Sequence, residues 1–400
     1  MRLSKDELEK VKIKYNTDRL FSWSMISTFT TSPYEYFLHY ILQIPEDRND
    51  CVYATMGGMA HDILEKLYNK KIKYKDMEDE FETAWSMAVD ISNLKFDRND
   101  EEHNKKLSDK YYDDLKHFYK SHVLIPYKTI TEQFVVTKIN DYVLQGYLDI
   151  AFKDNEGCYN IIDFKTSSIY TGKNLIEKSG QLCVYALGLI QSGVPIEKIK
   201  IAFNFLKYVT VQYRQANGVI KERNIERCEL GTKLQSNAKI WLKKFGYENV
   251  SDEILKELID YNDIRVLPED VQKMFIIKDC YVYIPLTQEL IDSWVEKIST
   301  TIKDILWREE QYAQDKNDKW FFDTEESVKK ESYYFAAICS YSPSLHLPYQ
   351  KFLEKLEESK NGNDLFNGIG TCAENEQVEV HAQSSNKSSE MDLSWLDNLI

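Results

Sequence analysis

The alternation of apolar and polar positions predicts a β-hairpin near the middle of the chain. Residues 145–152 and 159–166 are rich in Tyr, Leu and Ile, and the DNEG sequence at 154–157 between them consists of turn-forming residues. The same criteria predict further strands at 130–137, 199–207, 208–215, 219–229 and 281–284. Asn217-Gly218 is a strong signal for a second hairpin between two of them.

Helical periodicity surrounds these strands. Apolar residues recur at helical spacing in residues 21–42, 54–70, 179–193, 230–245 and 288–310. The charged, amphipathic stretch 66–126 reads as a helical insertion that covers one side of a sheet. The order of elements predicts an α/β (α+β) fold in which helices flank a central mixed β-sheet.

Composition supports a globular protein in a reducing compartment. The 400 residues are 43% hydrophobic, which is enough for a large core. The seven cysteines are scattered without a CxxC pair, so free thiols in the cytoplasm, or in the host cytoplasm if the protein is viral, are the simplest interpretation. No stretch approaches the roughly 20 apolar residues of a membrane span, and no membrane partner is predicted.

Charge is distributed unevenly along the chain. The net charge of −14 argues against general affinity for nucleic acid, yet residues 197–245, a basic hairpin and helix, carry eleven Lys and Arg against four Glu. We predict that Lys207, Arg214, Lys221 and Arg223 contact a DNA backbone; the alternative is a solvated basic surface.

The C-terminal residues differ in composition from the rest. Residues 362–400 are polar and acidic, and they predict a disordered tail that ends in a short hydrophobic motif. Leu393, Trp395, Leu396 and Leu399 within residues 391–400 are anchors that the groove of a protein partner could accept. The alternative is a tail without a function.

The first hairpin carries candidate chemistry. Asp163 and Lys165 share one face of a strand, and a turn centred on Glu156 places Asp149 directly opposite Asp163. A turn shifted by half a pair would make the two carboxylates diagonal neighbours. Facing carboxylates repel each other unless a cation or a proton lies between them, and Mg²⁺ is commonly held by one or two carboxylates. The alternative for Asp163 and Lys165 is a simple ion pair.

Four motifs occur in a fixed order over residues 21–205. They are Gly57-Gly58-x-x-His61-x-x-x-Glu65, Gly146-x-x-Asp149, Asp163-x-Lys165-Thr166 and Gln181-x-x-x-Tyr185. In this order they resemble the RecB-type nucleases of the PD-(D/E)xK superfamily, which are related to CRISPR-associated and phage exonucleases. The resemblance implies a restriction-endonuclease-like core within a nuclease domain of residues 1–361.

The resemblance also implies roles for individual residues. The implied ligands of Mg²⁺ or Mn²⁺ are His61, Asp149, Asp163 and the backbone carbonyl of Phe164. Lys165 is expected to contact the attacking water or the scissile phosphate, so that Asp149, Asp163 and Lys165 form the catalytic set. Gln181 and Tyr185 are expected to contact DNA.

The sequence departs from a major branch of this family that binds an iron–sulfur cluster through four cysteines. Ser32-Pro33 stands in the place of the early Cys-Pro, and Cys339 is alone near the C-terminus. We therefore predict no iron–sulfur cluster. No Gly-x-x-x-x-Gly-Lys-Ser/Thr loop is present either, so a helicase or recombinase that acts with this protein is expected to be a separate chain.

These observations predict a metal-dependent deoxyribonuclease that acts in DNA processing, repair or recombination, including that of phage, with exonuclease action favoured. The alternative is a non-catalytic DNA-binding or assembly module that keeps the nuclease fold and recruits partners through its tail. A nuclease directed at RNA stays open, because metal-assisted hydrolysis does not distinguish the sugars.

Overall fold

A computed structural model describes residues 3–346 and the isolated positions 351 and 354. The predicted tail, residues 362–400, and its terminal motif at 391–400 therefore lie outside the described residues. Within the described part of the chain, no helix is long and apolar enough to cross a membrane.

The strands form one mixed, seven-stranded sheet. They are β1 Leu20–Ser22, β2 Thr129–Ile139, β3 Tyr142–Lys153, β4 Tyr159–Lys165, β5 Ile199–Arg214, β6 Ile220–Glu226 and β7 Phe275–Ile284. Strand β3 pairs with β1 in parallel and with β2 and β4 in antiparallel orientation. Strand β5 is parallel to β4 and antiparallel to β6 and β7.

The α-helices surround this sheet. They are α1 Lys5–Tyr15, α2 Trp23–Thr31, α3 Pro33–Tyr36, α4 Val52–Tyr68, α5 Met77–Trp85, α6 Glu101–Ser121, α7 Gly172–Lys178, α8 Gly180–Gln191, α9 Leu230–Lys244, α10 Ser251–Tyr261, α11 Glu269–Gln272, α12 Gln288–Asp315 and α13 Glu325–Lys330. Pro33 occupies the first turn of α3, where its missing N–H costs nothing.

The two faces of the sheet are covered by different helices because successive strand residues point to opposite sides. On β4, Ile161 belongs to a core with α2, α8 and α12, whereas Ile162 belongs to a second core with α4, α5 and α6. A third core joins α9 and α10 to the far ends of β5, β6 and β7. The predicted mixed sheet flanked by helices is confirmed.

The prediction of two strands at 199–207 and 208–215 is wrong, because β5 is one continuous strand. Its pairing with β7 shifts register between Asn204 and Val209. On its other edge β5 pairs with β4 as far as Phe205 and with β6 from Tyr208 onward. The pattern of apolar and polar residues changes near residue 207 because β5 pairs with β4 before this point and with β6 after it.

Candidate functional site

The β3–β4 hairpin has the register that the sequence predicts. Its last pair before the strands diverge is Ile150 with Ile162, so the next position in the same register places Asp149 opposite Asp163. The turn sets this register, because the Asp154 carboxylate accepts hydrogen bonds from two backbone amides of residues 156 and 158. The two acidic residues therefore lie side by side where the strands separate.

Helix α4 brings His61 to this point. His61 Nε2 donates to the carbonyl oxygen of Phe164 at 2.9 Å, and its Nδ1 lies 3.3 Å from Asp149 Oδ1. The other oxygen of Asp149 accepts the Phe164 N–H at 3.0 Å. Because Ile63 and Leu64 anchor the helix in the second core, His61 is held against the strand ends. Three of the four predicted metal ligands are thus in direct contact.

The fourth predicted ligand, Asp163, is only 2% exposed and faces Lys165. Lys165 Nζ lies 2.5 Å from Asp163 Oδ2, yet this oxygen accepts no hydrogen bond of good geometry from the described residues. Among the described residues, the donor atoms of His61, Asp149 and Asp163 are not all within 4.8 Å of one another. A buried carboxylate whose partner is a single ammonium is a donor that a further cation can share.

The carboxylates of Asp149 and Asp163 bring negative charge into a largely buried site. Burial raises the pKa of Asp163, and Asp149 adds to this effect against the opposing influence of Lys165. Burial alone lowers the pKa of His61, but Asp149 and Asp163 outweigh it and raise that pKa to about 9. Burial also lowers the pKa of Lys165, yet Asp163 keeps it above its ordinary value. The carboxylates therefore favour any cation placed beside them.

Gln181 and Tyr185 lie next to the carboxylates on α8. Gln181 Nε2 donates to the Tyr185 hydroxyl at 3.1 Å. Burial raises the pKa of Tyr185, as do the nearby charges of Asp149 and Asp163. Tyr185 is 5% exposed and packs on Gly146, whereas Gln181 is half-buried. Of this pair, Gln181 is the one that a ligand can reach.

Glu132 is a further acidic residue beside the site that the motif pattern does not reveal. It lies in β2 between Thr131, which pairs with Ile150, and Gln133, which pairs with Leu148. Its φ of 49° is a left-handed conformation that is rare within a strand. Glu132 therefore occupies the β2 position opposite Asp149. Its backbone conformation is the feature that distinguishes it, and a sequence does not show that conformation.

Another acidic group lies at the hairpin turn and has a structural explanation. Ligand atoms of Asp154, Glu156 and Cys158 lie within 4.8 Å of one another. Lys200 Nζ is 2.9 Å from both Asp154 and Glu156, and the Asp154 carboxylate also caps the turn. These ion pairs and hydrogen bonds already satisfy the carboxylates, so the three residues stabilise the turn.

The basic hairpin presents its cations unevenly. Arg214 and Lys221 are exposed, whereas Arg223 donates to the backbone carbonyl of Lys233. Lys207 is half-buried and is not on the outer surface of the hairpin. Two of the four predicted backbone-contacting residues are therefore freely accessible.

A polar network surrounds Ser32, the residue that the sequence pattern places where an iron–sulfur branch has its first cysteine. The Ser32 hydroxyl donates to Asp323 at 3.0 Å and lies 2.9 Å from His346 Nε2. Cys339 is the one cysteine that contacts this region among the described residues, and its Sγ lies 3.8 Å from Glu35 Oε2. A carboxylate, a hydroxyl, an imidazole and one thiol do not fit a cluster that needs four thiolates.

Two facing acidic positions, a lysine two residues along the strand and a histidine from a packed helix lie together on a mixed sheet, and side chains of these types can support metal-assisted hydrolysis of phosphodiesters. Residues 20–319, three quarters of the chain, match the model of the PD-(D/E)XK nuclease superfamily. The chain belongs to this superfamily, whose members are typically metal-dependent nucleases. No curated protein matches the chain.

The contact between Gly146 and Tyr185 leads to a first prediction. A Cβ at position 146 would lie 2.6 Å from Tyr185 Cε1, so Gly146→Ala must displace the ring. We expect the substitution to lower the free energy of unfolding by about 1–3 kcal/mol. We also expect cleavage to slow by about 10²-fold, because groups beside the site move. Thermal unfolding and initial cleavage rates measure the two effects.

Gly57→Ala is the matched control for this substitution. A Cβ at position 57 meets no heavy atom within 4 Å, and Gly57 lies inside α4, where alanine favours the helix. We expect this variant to keep wild-type activity and to be at least as stable as the wild type. Equal behaviour of the two variants would show that the Tyr185 contact has no role in the site.

Proposed function

We propose that this protein is a metal-dependent DNA nuclease of the RecB type that acts as an exonuclease. The observation that supports this function best is the contact of His61 with both Asp149 and the Phe164 carbonyl, beside the buried pair of Asp163 and Lys165. These residues come from a helix and two strands that are far apart in sequence. Their position side by side supports metal-assisted hydrolysis of a phosphodiester.

The residues present fit a divalent ion. The donors are two carboxylates, a backbone carbonyl and an imidazole, and the buried Asp163 oxygen has no partner among the described residues other than the Lys165 ammonium. Oxygen ligands suit Mg²⁺ and Mn²⁺, and we propose His61, Asp149, Asp163 and the Phe164 carbonyl as the ligands. When bound, such an ion acidifies water and polarises the phosphate.

The other side chains act on the substrate directly. The ammonium of Lys165 supplies positive charge to the scissile phosphate, because the neighbouring carboxylate stabilises its charged form. Gln181 offers an amide to the DNA backbone, and Tyr185 holds that amide through its hydroxyl. We propose Asp149, Asp163 and Lys165 as the catalytic residues on this basis.

The biological context that we propose is DNA repair or recombination, including that of phage. Any helicase or recombinase that acts in such a process is a separate chain, because this sequence has no nucleotide-binding loop of its own. We propose that residues 391–400, which lie outside the described residues, bind a protein partner.

A substrate panel tests the proposed function. Purified protein is incubated with linear double-stranded, linear single-stranded and closed circular DNA and with matched RNA, in Mg²⁺, in Mn²⁺ or in excess chelator. We expect linear DNA to be degraded only with metal, and circular DNA to survive, because an exonuclease needs an end. Cleavage of circular DNA would show an endonuclease and not an exonuclease. Degradation of RNA alone would show that the substrate is RNA and not DNA.

Absence of cleavage under all conditions would contradict the proposed function. DNA binding that persists in chelator without any cleavage would favour the non-catalytic module instead. Lys165→Ala, tested alongside, is expected to bind DNA but to cleave it at least 10²-fold more slowly, since one preorganised charge is lost.

A further inference from the structure

Lys207 lies in a gap of the sheet beside the site. Strands β4 and β5 are paired in parallel up to Lys165 and Phe205, and β6 joins β5 only from Tyr208. Lys207 is two residues past Phe205, about 7 Å farther along the strand. On this edge of β5, no described strand covers Lys207, and the chain that leaves the site after Lys165 passes close by.

Two contacts connect that departing chain to the surroundings of Lys207. The side chain of Thr166, the residue after Lys165, lies beside the Tyr111 hydroxyl, and the side chain of Ser168 lies beside the hydroxyl of Tyr208. Lys207 Nζ lies over the Tyr111 ring, 4.5 Å from its centroid. The Tyr111 ring therefore lies between Lys207 and the end of β4, which carries the proposed catalytic residues.

The ammonium of Lys207 has no hydrogen bond or ion pair among the described residues, although it is half-buried. Two carboxylates act electrostatically on Lys207, but neither forms an ion pair with it: Glu226 lies 2.5 Å from Lys110, and Asp114 accepts the Cys228 amide at 2.8 Å through Oδ1 while its buried Oδ2 has no hydrogen bond from the described residues. Burial lowers the pKa of Lys207, against the opposing influence of Asp114 and Glu226. An ammonium has three donors, and burying it without a partner costs free energy that a bound anion would offset.

The surroundings indicate which anion. The hydroxyls of Thr166, Ser167 and Ser168 follow the catalytic strand directly, and hydroxyls together with a lysine are the usual contacts to nucleic-acid phosphates. The aromatic support of Tyr111 fixes the position of the ammonium without neutralising it. A phosphate of the same strand as the scissile one is the anion that regularly lies this close to a nuclease site.

We propose that Lys207, seated on Tyr111, binds the DNA phosphate that neighbours the scissile phosphate. This inference rests on the proposed nuclease function for its choice of substrate, but it concerns binding and does not depend on cleavage. Lys207 is a positioning residue here: it holds the DNA strand in place and does not touch the reacting atoms.

Equilibrium binding of a labelled single-stranded DNA, titrated with salt in excess chelator, tests the proposal without any cleavage. Lys207→Met keeps the aliphatic packing on Tyr111 and removes the charge. We expect it to weaken binding about tenfold, the order expected for one charge-assisted contact. It should also reduce the slope of log K against log salt by about 0.7, the value for one phosphate. Lys207→Arg should restore the slope, and Lys256→Ala, an exposed lysine on α10, should leave it unchanged.

A second readout separates phosphate binding from a structural role. A single neutral methylphosphonate is placed in turn at each phosphate of the oligonucleotide. At one position, we expect the methylphosphonate to weaken binding to the wild type but not to Lys207→Met. The methylphosphonate and the substitution remove the same contact, so their effects do not add. Additive losses at every position, or an unchanged salt slope in Lys207→Met, would overturn the proposal, even if the wild type cleaves DNA. A wild type that binds DNA with the expected slope but never cleaves it would contradict the nuclease function alone.

Discussion

Asp163→Asn is expected to abolish DNA cleavage, with a loss of about 10³-fold or more in kcat, because a divalent cation contributes several kcal/mol to the transition state and each 1.36 kcal/mol is about tenfold. The Asp163 carboxylate is buried beside Lys165, and asparagine keeps its shape while removing the charge that we propose as a ligand of the cation. Single-turnover cleavage of linear DNA at saturating Mg²⁺ measures the effect.

The same hairpin supplies a matched control. Glu156→Gln removes a carboxylate whose side chain is 76% exposed at the turn, and wild-type cleavage is expected. Calorimetric titration with Mn²⁺ should show that Asp163→Asn loses metal affinity and that Glu156→Gln does not. If Asp163→Asn cleaved DNA at the wild-type rate, Asp163 would not be a ligand and the proposed site would be wrong.

Asp279→Ala is expected to lower the free energy of unfolding by about 3–5 kcal/mol, the cost of removing one partner of a buried ion pair. Arg227 Nη2 lies 2.5 Å from one oxygen of Asp279, and His122 Nδ1 lies 2.6 Å from the other. All three side chains are almost completely buried. The alanine variant leaves a buried guanidinium without its counter-charge, and urea denaturation at neutral pH measures the loss.

An exposed ion pair is the control for this effect. Asp252 and Lys239 are 3.4 Å apart, and their side chains are 90% and 63% exposed. Asp252→Ala is expected to change the free energy of unfolding by only about 0–1 kcal/mol. Similar losses in the two alanine variants would show that the buried network contributes no more than a surface contact.

The pH dependence of the buried network follows from its charges. Burial by itself raises the pKa of Asp279, but His122 and Arg227 outweigh it, so the folded-state pKa is below the ordinary value. The stability from this group is therefore fully present above the unfolded pKa of about 3.9 and is lost as the pH falls through the folded pKa. The difference between wild type and Asp279→Ala should accordingly shrink in acid.

The sequence predicts the hairpin well because its determinants are local. Turn chemistry at residues 154–157 sets the register, and the period of two along a strand then places Asp149 opposite Asp163 and aligns Lys165 with Asp163. The fold class also follows from local patterns, since helical and strand periodicities are visible over short windows. Membership of the superfamily supports this part of the prediction.

Local patterns predict the environment of a side chain less well. Lys207 is part of a basic stretch in sequence, yet β5 continues past the end of β4 and leaves this lysine in a gap over Tyr111. Tyr185 is part of a motif expected to contact DNA, yet its ring packs on Gly146, and Gln181 is the accessible member. Both outcomes depend on which elements pack beside a residue, which periodicity does not encode.

The sequence by itself therefore determined the strand pair that carries two facing carboxylates and a lysine, because turn residues and strand periodicity act over a few positions. Only the tertiary structure decided that His61 reaches Asp149 and Phe164, since this contact joins residues about a hundred positions apart through the packing of α4 on the sheet. The same packing buried Asp163 beside Lys165. The chemistry of the site comes from residue types along the chain, and its geometry comes from the burial of apolar faces that brings those residues together.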